Sequence, residues 1–176
     1  MPNQSIYGAE RDAFLEAMSR IASTVSVVTT DGPAGRAGAT VSSLVSVSAD
    51  SPRPTLLVCL QRSTRTGRAV LENNALCVNV LRKDHAWISD LFAGRGNRAG
   101  KDNFFCVDWT KGVSGAPRLS DSLAALDCRV AQSHVVGLHH VIFAEVVGIS
   151  ISGSDTPLLY ANRGYATAQP LLGAVA

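Results

Sequence analysis

The sequence predicts a mainly β fold with helices, in which an antiparallel sheet closes or nearly closes into a barrel. At least six segments have the composition and patterning of strands, and helical segments lie between the hairpins. A chain of 176 residues is too short for two separate cores and long enough for one. Because an antiparallel sheet has to protect its edges, closure is favoured. We expect one domain, 1–176, with a core at about 9–168 and a loosely held tail at 169–176.

An amphipathic helix is predicted at about 9–21, because apolar residues recur there at intervals of three and four positions. These residues are Phe14, Ala17, Met18 and Ile21. We expect this helix to pack on a flat surface. Three strands are predicted after it, at 24–30, 37–48 and 55–60, and the loop at 31–35, which contains glycine and proline, makes the first two a hairpin.

The second half alternates helices and strands before a long antiparallel pair. A helix is predicted at 64–74 with Thr66 as its cap, and another at 84–92 with Asp84 as its cap. Residues 93–122 are rich in glycine and charge and are predicted to be irregular. Strands are predicted at 76–81, 126–130 and 141–151, and a turn at Gly137 joins the last two of these. A short edge strand is predicted at 157–160.

Composition and charge exclude several classes of function. Sixteen basic and fourteen acidic side chains leave a net charge of +2, and the basic residues are scattered, so no nucleic-acid partner is expected. No apolar run approaches the roughly 20 residues that span a bilayer, and no signal peptide is evident, so we expect a soluble protein without a membrane partner. The four cysteines lack C-x-x-C spacing, which indicates structural thiols and a cytoplasmic location.

Familiar catalytic motifs are absent or lack their context. Residues 94–99 match the G-x-G-x-x-A dinucleotide pattern, but a predicted helix and not a strand precedes them. Neither a P-loop nor a G-x-S-x-G elbow is present. His139 and His140 are neighbours on a predicted strand and therefore point to opposite faces, so no metal site is expected.

Two polar segments are candidates for ligand binding. Residues 38–48 form an uncharged segment with hydroxyls at 40, 42, 46 and 48, which line either solvent or a polar ligand. Residues 62–66 combine hydroxyls, two arginines and a predicted helix start, the chemistry of an anion or phosphate site. A surface capping box is the alternative for the second segment.

Several motifs, in order along the chain, resemble the flavin reductase family. They are ATVSSLVSVSADSPRPTLLVCLQRSTRT at 39–66, CVNVL at 77–81, DNFF at 102–105, GLHHVIFAEVV at 137–147 and PLLYANRGY at 157–165. The resemblance extends from about 14 to 165. It implies a split antiparallel barrel, a homodimer, and transfer of hydride from NADH (or NADPH) to FMN or FAD, with the reduced flavin passing to a partner monooxygenase.

The resemblance also implies roles for individual residues. Thr40, Val41, Ser42, Ser43 and Leu44 would line the flavin ring, Cys59 and Leu60 would border it, and Thr64, Arg65 and Thr66 would hold its phosphate. Lys101, Asn103 and Phe104 would lie near the flavin, with Phe104 stacking on it, and Tyr160, Arg163 and Tyr165 would border the mouth of the site. His139 would contact the nicotinamide as the catalytic residue, although Leu138 stands where the family has an acidic residue.

Two other functions remain open at this point. A reductase of the same fold could retain its flavin and pass electrons to a corrin or metal centre. Alternatively, the chain could bind flavin without turnover.

Overall fold

The computed structural model describes residues 4–50, 52–95, 102–152 and 156–170, with side chains from residue 8 onward. The described helices are α1 (Gln4–Ser19), α2 (Arg65–Asn73) and α3 (Ala86–Phe92), with 3-10 turns at Lys83–His85 and Asn103–Cys106. The first six strands are β1 (Ser23–Thr24), β2 (Ser26–Thr30), β3 (Ala37–Val41), β4 (Val45–Ser48), β5 (Thr55–Gln61) and β6 (Ala75–Val80). The others are β7 (Trp109–Lys111), β8 (Pro117–Leu119), β9 (Ala124–Val136), β10 (His139–Ile151), β11 (Leu158–Ala161) and β12 (Gly164–Thr167).

The main sheet has seven strands in the order β3-β2-β6-β9-β10-β5-β4, all antiparallel. Its two edge strands, β3 and β4, are consecutive in the chain. From Val41 to Val45 the backbone can span at most about 15 Å, whereas the edges of a flat seven-stranded sheet would lie about 29 Å apart. The sheet therefore curves strongly and brings its edges towards each other. The prediction of a mainly β, antiparallel fold is confirmed.

Two apolar clusters cover the two faces of the sheet. One cluster contains Val28, Val58, Leu76 and Ile142 from four strands of the main sheet. The other contains Val27, together with Ile88 and Phe92 of α3 and residues of β8 and β11. Because β2 is buried on both faces, neighbouring residues of this strand contribute to both clusters.

Several predicted boundaries are wrong in detail. The predicted strand at 37–48 is interrupted at residues 42–44, where the chain passes from one sheet edge to the other. Thr64, and not Thr66, caps α2, and Asp84 lies inside a 3-10 turn instead of capping α3. The segment predicted as irregular contains a hairpin, β7–β8, and the strand predicted as an edge, β11, lies between β1 and β12.

The first helix also differs from its prediction. It begins at Gln4 and ends at Ser19, and its apolar side chains do not pack on a flat surface of the same chain, since Phe14 is 63% exposed and Met18 and Ile21 are also exposed. A polar side chain connects the helix to the rest of the chain instead. Glu16 forms an ion pair with Arg163, with a distance of 2.9 Å.

The turn at Gly137 is confirmed, with a positive φ of 55° that favours glycine. Within the described part of the chain, no helix is both long and apolar enough to cross a bilayer. All four cysteines are free thiols.

Candidate functional site

Three cavities lie along β3 and the segment that follows it. The central cavity, about 400 Å³, is lined by residues of β3, β5 and the start of β10. The tyrosine cavity, about 180 Å³, shares Thr40, Val41 and Ser42 with it and is named for Tyr160 and Tyr165. The arginine cavity, about 530 Å³, lies at the other end of β3 and contains Arg36 and Arg65. The three cavities are neighbours along one side of the sheet, and Phe92 lines both the central and the arginine cavity; we call the three together the groove.

The central cavity brings together eight of the residues that the sequence singles out. They are Thr40, Val41, Ser42, Ser43, Cys59, Leu60, Thr64 and His139. Among the described residues that line it there is no carboxylate, lysine or arginine. Leu44 does not face this cavity and packs against the apolar core instead.

Hydroxyl groups fix the interrupted segment in place. The Ser43 hydroxyl accepts a hydrogen bond from the Cys59 amide at 2.9 Å and lies 3.2 Å from the Cys59 carbonyl oxygen. The Thr40 hydroxyl donates to the carbonyl of Ser89 at 2.7 Å. The hydroxyls of Thr40 and Ser43, which were predicted to line a ligand, therefore form hydrogen bonds that connect β3 and the segment after it to α3 and β5. The Ser42 hydroxyl has no hydrogen-bond partner among the described residues and is exposed at the groove.

The start of α2 has the geometry of an anion site. Thr64 is its N-cap: the hydroxyl accepts from the Gly67 amide at 3.0 Å and donates to the Gln61 carbonyl at 2.7 Å. A Cβ at position 67 would lie 2.4 Å from that carbonyl oxygen, so only glycine allows this close approach. The free backbone N–H groups of the first turn and the positive end of the helix dipole favour an anion here.

Two side chains at this helix start point their donors at the arginine cavity. The Arg65 guanidinium has no ion-pair or hydrogen-bond partner among the described residues. Thr66 as a residue is only 4% exposed and lines the arginine cavity, and its hydroxyl has no hydrogen-bond partner in the described part of the chain. A hydroxyl without a protein partner at a cavity wall is available to a ligand oxygen.

The far wall of the arginine cavity comes from the turn at Asn103–Cys106. Asp102 accepts from the Phe104 amide at 3.0 Å and pairs with Arg36 at 2.6 Å, and these contacts hold the pKa of its carboxyl below the ordinary value. Asn103 donates to the Leu91 carbonyl at 3.0 Å, which fixes the turn to α3. Lys101 lies outside the described residues.

Phe104 belongs to the cavity wall. It is 7% exposed and packs edge-to-face on Phe92, with ring centroids 5.2 Å apart. Gly38 permits this packing, because a Cβ there would lie 2.7 Å from the Phe92 ring. Phe104 thus presents little free surface for stacking, and the exposed aromatic residue of this turn is its neighbour Phe105.

The tyrosine cavity contains residues that the sequence analysis did not identify. The Tyr165 hydroxyl lies 2.7 Å from an Asp90 carboxylate oxygen and 2.9 Å from the Ser89 hydroxyl. Burial raises the pKa of Tyr165. Arg95 donates to Tyr160, and this bond raises the pKa of the guanidinium. Ser89 and Asp90 could have been identified as candidate site residues, because they are two polar residues inside an otherwise apolar predicted helix.

Arg163 is separated from the other predicted residues. Its positive φ of 61° places it in the β11–β12 turn, and its guanidinium pairs with Glu16 of α1. Tyr160 and Tyr165, on the two strands that this turn joins, are the members of the C-terminal motif that reach the groove.

His139 is the first residue of β10 and lies opposite Gln61 of β5. Its side chain is exposed and lines the central cavity. Leu138, in place of the family's acidic residue, is largely exposed, and its carbonyl accepts from the Arg62 amide at 2.9 Å. The position of His139 is therefore fixed by backbone bonds of the hairpin. No cluster of three metal-binding side chains occurs among the described residues.

A family model and a protein of known activity match most of this sequence. Residues 18–169 match the family model of the flavin reductase like domain. The chain is 46% identical over 155 residues to an FMN reductase (NADH), RutF 1, of Methylorubrum extorquens, covering 88% of this chain and 75% of that protein.

Two solved structures share the fold. The homologue of nitrilotriacetate monooxygenase component B from Mycobacterium thermoresistibile superposes with a TM-score of 0.85 at 27% identity, covering 97% of this chain and 93% of that one. The NADH:FAD oxidoreductase SgcE6 of Streptomyces globisporus C-1027 gives a TM-score of 0.82 at 25% identity, covering 92% and 95%. From the family match over most of its length, this chain belongs to the flavin reductase like domain family.

Proposed function

We propose that this chain is an NADH:flavin oxidoreductase that transfers hydride from NADH to FMN or FAD and releases the reduced flavin to a partner monooxygenase. One observation carries the proposal. A hydroxyl-lined cavity of a size that suits an aromatic ring system lies next to the start of α2, where Thr64 caps the helix and the helix N-terminus favours an anion. A flavin nucleotide has this order of groups, a ring at one end of its side chain and a phosphate at the other.

The donors at the α2 start fit a flavin phosphate. Arg65 provides a guanidinium, Thr66 a hydroxyl at the cavity wall, and the first turn of the helix provides backbone N–H groups. Charge-assisted hydrogen bonds of this type are about twice as strong as neutral ones. These residues bind the oxidised and the reduced nucleotide alike, since the phosphate does not change in the reaction.

The central cavity fits the ring of the same nucleotide. A bound flavin supplies the hydride acceptor and NADH the donor, so the chain needs no catalytic triad of its own. Ser42 and Ser43, with the backbone of residues 40–44, hold the ring on one side, and Cys59 and Leu60 border it. The main contribution of these residues is to keep two planar rings at reactive distance and to limit the access of water.

His139 is proposed as the contact for the nicotinamide. It lines the same cavity from the opposite wall, at the end of an exposed hairpin where a second ligand has access. Because no acidic residue stands at 138, the imidazole would contact a bound nicotinamide by hydrogen bonding and packing, and the two nucleotides would supply the hydride donor and acceptor.

A split barrel and a homodimer belong to the proposal as well. The strong curvature that brings β3 and β4 together supports the split barrel. The exposed apolar surface formed by Phe14 and Met18 of α1 and by Ile21 just after the helix supports burial against a second copy. Sedimentation equilibrium tests the dimer: Met18→Glu with Ile21→Glu is expected to yield monomer, whereas Arg11→Glu on the same helix leaves the dimer intact. A wild-type monomer at micromolar concentration would contradict it.

The partner monooxygenase is supported by the structural relative that is named as a homologue of component B of nitrilotriacetate monooxygenase. Four free thiols support a cytoplasmic location, since reducing conditions maintain this state.

The proposed function is tested by NADH oxidation with purified protein and either FMN or FAD, without an organic substrate. We expect turnover that depends on both flavin and protein. Flavin binding without NADH oxidation would establish a binding module instead. Retention of the reduced flavin with a low dissociation constant would favour electron transfer to a protein-bound centre.

A further inference from the structure

The hairpin β7–β8, which the structure describes completely, contributes no residue to the walls of the groove. It forms a separate two-stranded sheet, with Trp109 opposite Leu119 at its open end. Trp109 lines a cavity of about 580 Å³ outside the groove, and it also packs against Phe92 and Phe104, which do line the groove. This side chain therefore connects the hairpin to the groove wall.

We propose that Trp109 is a positioning residue for the phosphate end of the groove: it fixes Phe104, and through Phe104 it holds the Arg36 guanidinium at the arginine cavity. The inference rests on the proposed function, because it takes the arginine cavity as the site of the flavin phosphate. It adds a residue outside the groove to those that determine flavin affinity.

Trp109 contacts Phe104 in two ways. The indole Nε1 donates to the Phe104 carbonyl at 3.0 Å. The two rings also pack together, with centroids 5.0 Å apart, and the Phe92 ring lies 5.8 Å from that of Trp109. Because the hydrogen bond is directional and the rings are packed, these contacts fix the turn at Asn103–Cys106 relative to β7.

Phe104 in turn holds Arg36. The Arg36 guanidinium carbon lies 4.6 Å from the centre of the Phe104 ring, the geometry of a cation–π contact. The same guanidinium pairs with Asp102 at 2.6 Å, and Asp102 accepts from the Phe104 amide at 3.0 Å. A shift of Phe104 would disturb both contacts. Arg36 lines the arginine cavity together with Arg65, so its orientation affects the charge that a phosphate meets there.

The hairpin is a firm support, because buried groups connect both of its ends to the main sheet. At its turn, Asp127 of β9, which is 3% exposed, accepts hydrogen bonds from the amide and the hydroxyl of Ser114. At its open end, the Leu119 amide donates at 2.8 Å to the side chain of Asn79, a fully buried residue of β6. Buried hydrogen bonds of this kind are costly to break. The position of Trp109 is therefore set by contacts between the hairpin and the main sheet.

The test compares FMN with riboflavin, which has the same ring system and no phosphate, in fluorescence titrations. Trp109→Phe keeps an aromatic ring and removes the N–H group that bonds to Phe104. We expect the Kd for FMN to rise about threefold to tenfold, in line with the loss of one hydrogen bond, while the Kd for riboflavin stays within about twofold of wild type. The kcat for NADH oxidation at saturating FMN should stay unchanged, because the phosphate takes no part in hydride transfer.

A double-mutant cycle with Arg36→Ala supplies the second arm. Arg36→Ala alone should weaken FMN binding, and Trp109→Phe should then cause no further loss, since Trp109 acts through Arg36. Thr110→Ala is the matched control, because Thr110 is exposed, follows Trp109 on β7 and bonds across the hairpin to Arg118. This control should bind FMN and riboflavin as the wild type does.

Other results would overturn the proposal. A lower Tm with an unchanged Kd for FMN, equal losses for FMN and riboflavin, or additive effects in the cycle would each leave Trp109 with a structural role only. Unchanged FMN binding by Arg36→Ala would overturn it as well, and this outcome does not depend on how well the Trp109 variant folds. Failure of the proposed function has a separate signature, because wild-type protein would then not oxidise NADH with FMN, whatever the titrations show.

Discussion

The Ser43 hydroxyl accepts a hydrogen bond from the Cys59 amide at 2.9 Å and lies within hydrogen-bond distance of the Cys59 carbonyl. One side chain thereby joins the segment between β3 and β4 to β5. This contact shapes the floor of the central cavity, because both residues line it.

Ser43→Ala is expected to lower both stability and flavin affinity. Removal of the hydroxyl leaves the Cys59 amide without its partner, which costs about 1–3 kcal/mol when the group is buried. Denaturant unfolding followed by circular dichroism measures the first effect and flavin titration the second. Ser46→Ala, at an exposed position on β4, is the control. Wild-type stability of the Ser43 variant would show that the contact is dispensable.

Arg65→Ala is expected to weaken flavin binding about tenfold to a hundredfold, since a hydrogen bond to a charged group contributes about 1.5–3 kcal/mol. The phosphate contact is equal in ground and transition states, so kcat at saturating flavin should stay unchanged. Flavin titration and steady-state NADH oxidation separate the two effects. Arg68→Ala is the matched control, because the side chain of Arg68 is exposed and, among the described residues, donates to the Ser63 carbonyl at the same helix start. A loss in kcat with normal affinity would be inconsistent with a phosphate role.

His139→Ala is expected to raise the KM for NADH or to slow reduction of bound flavin, with flavin affinity and Tm near wild type. The side chain is exposed in the cavity, so its removal costs little packing. Stopped-flow absorbance at varied NADH measures the reduction step. His134→Ala is the control, since His134 lies on the same hairpin and packs on Phe143. Normal reduction combined with a Tm several degrees lower would assign His139 a structural role.

Flavin is expected to protect Cys59 from thiol reagents. Cys59 lines the central cavity, whereas Cys77 and Cys128 are buried. Burial raises the pKa of Cys128 to about 12 and that of Cys77 further, so both remain unreactive thiols at pH 8. Mass spectrometry after brief labelling at pH 8 should show modification at Cys59 that decreases when FMN is added. Equal labelling with and without FMN would place the flavin elsewhere.

The sequence was sufficient to predict the features that depend on a local pattern of residues. The period-2 pattern and Gly137 predicted the long antiparallel pair, and the hydroxyls and arginines at 62–66 predicted a helix start suited to an anion. The exact cap was not predicted. Thr64 and Thr66 have the same chemistry, and only the backbone conformation at 64 and the close approach of Gly67 to Gln61 distinguish them.

The interruption at residues 42–44 was not predicted from the sequence. Neither glycine nor proline occurs in 39–48, so local propensity favours one continuous strand. The local sign of a break is that the alternation of hydroxyl and apolar residues fails at Ser42–Ser43 and Leu44–Val45. Sheet curvature decides otherwise, because Val41 and Val45 have to lie on opposite edges of a seven-stranded sheet.

The sequence by itself determined the antiparallel β class, the helix start at 62–66 and, through ordered motifs, the family. Only the tertiary structure decided which side chains share a cavity. It brought Ser89 and Tyr165 together across 76 positions, separated Arg163 from its motif, and buried Phe104 while exposing Phe105. The physical reason is that propensity and periodicity act over a few residues, whereas the side chains that face a cavity depend on long-range pairing of strands and on packing between elements distant in the chain.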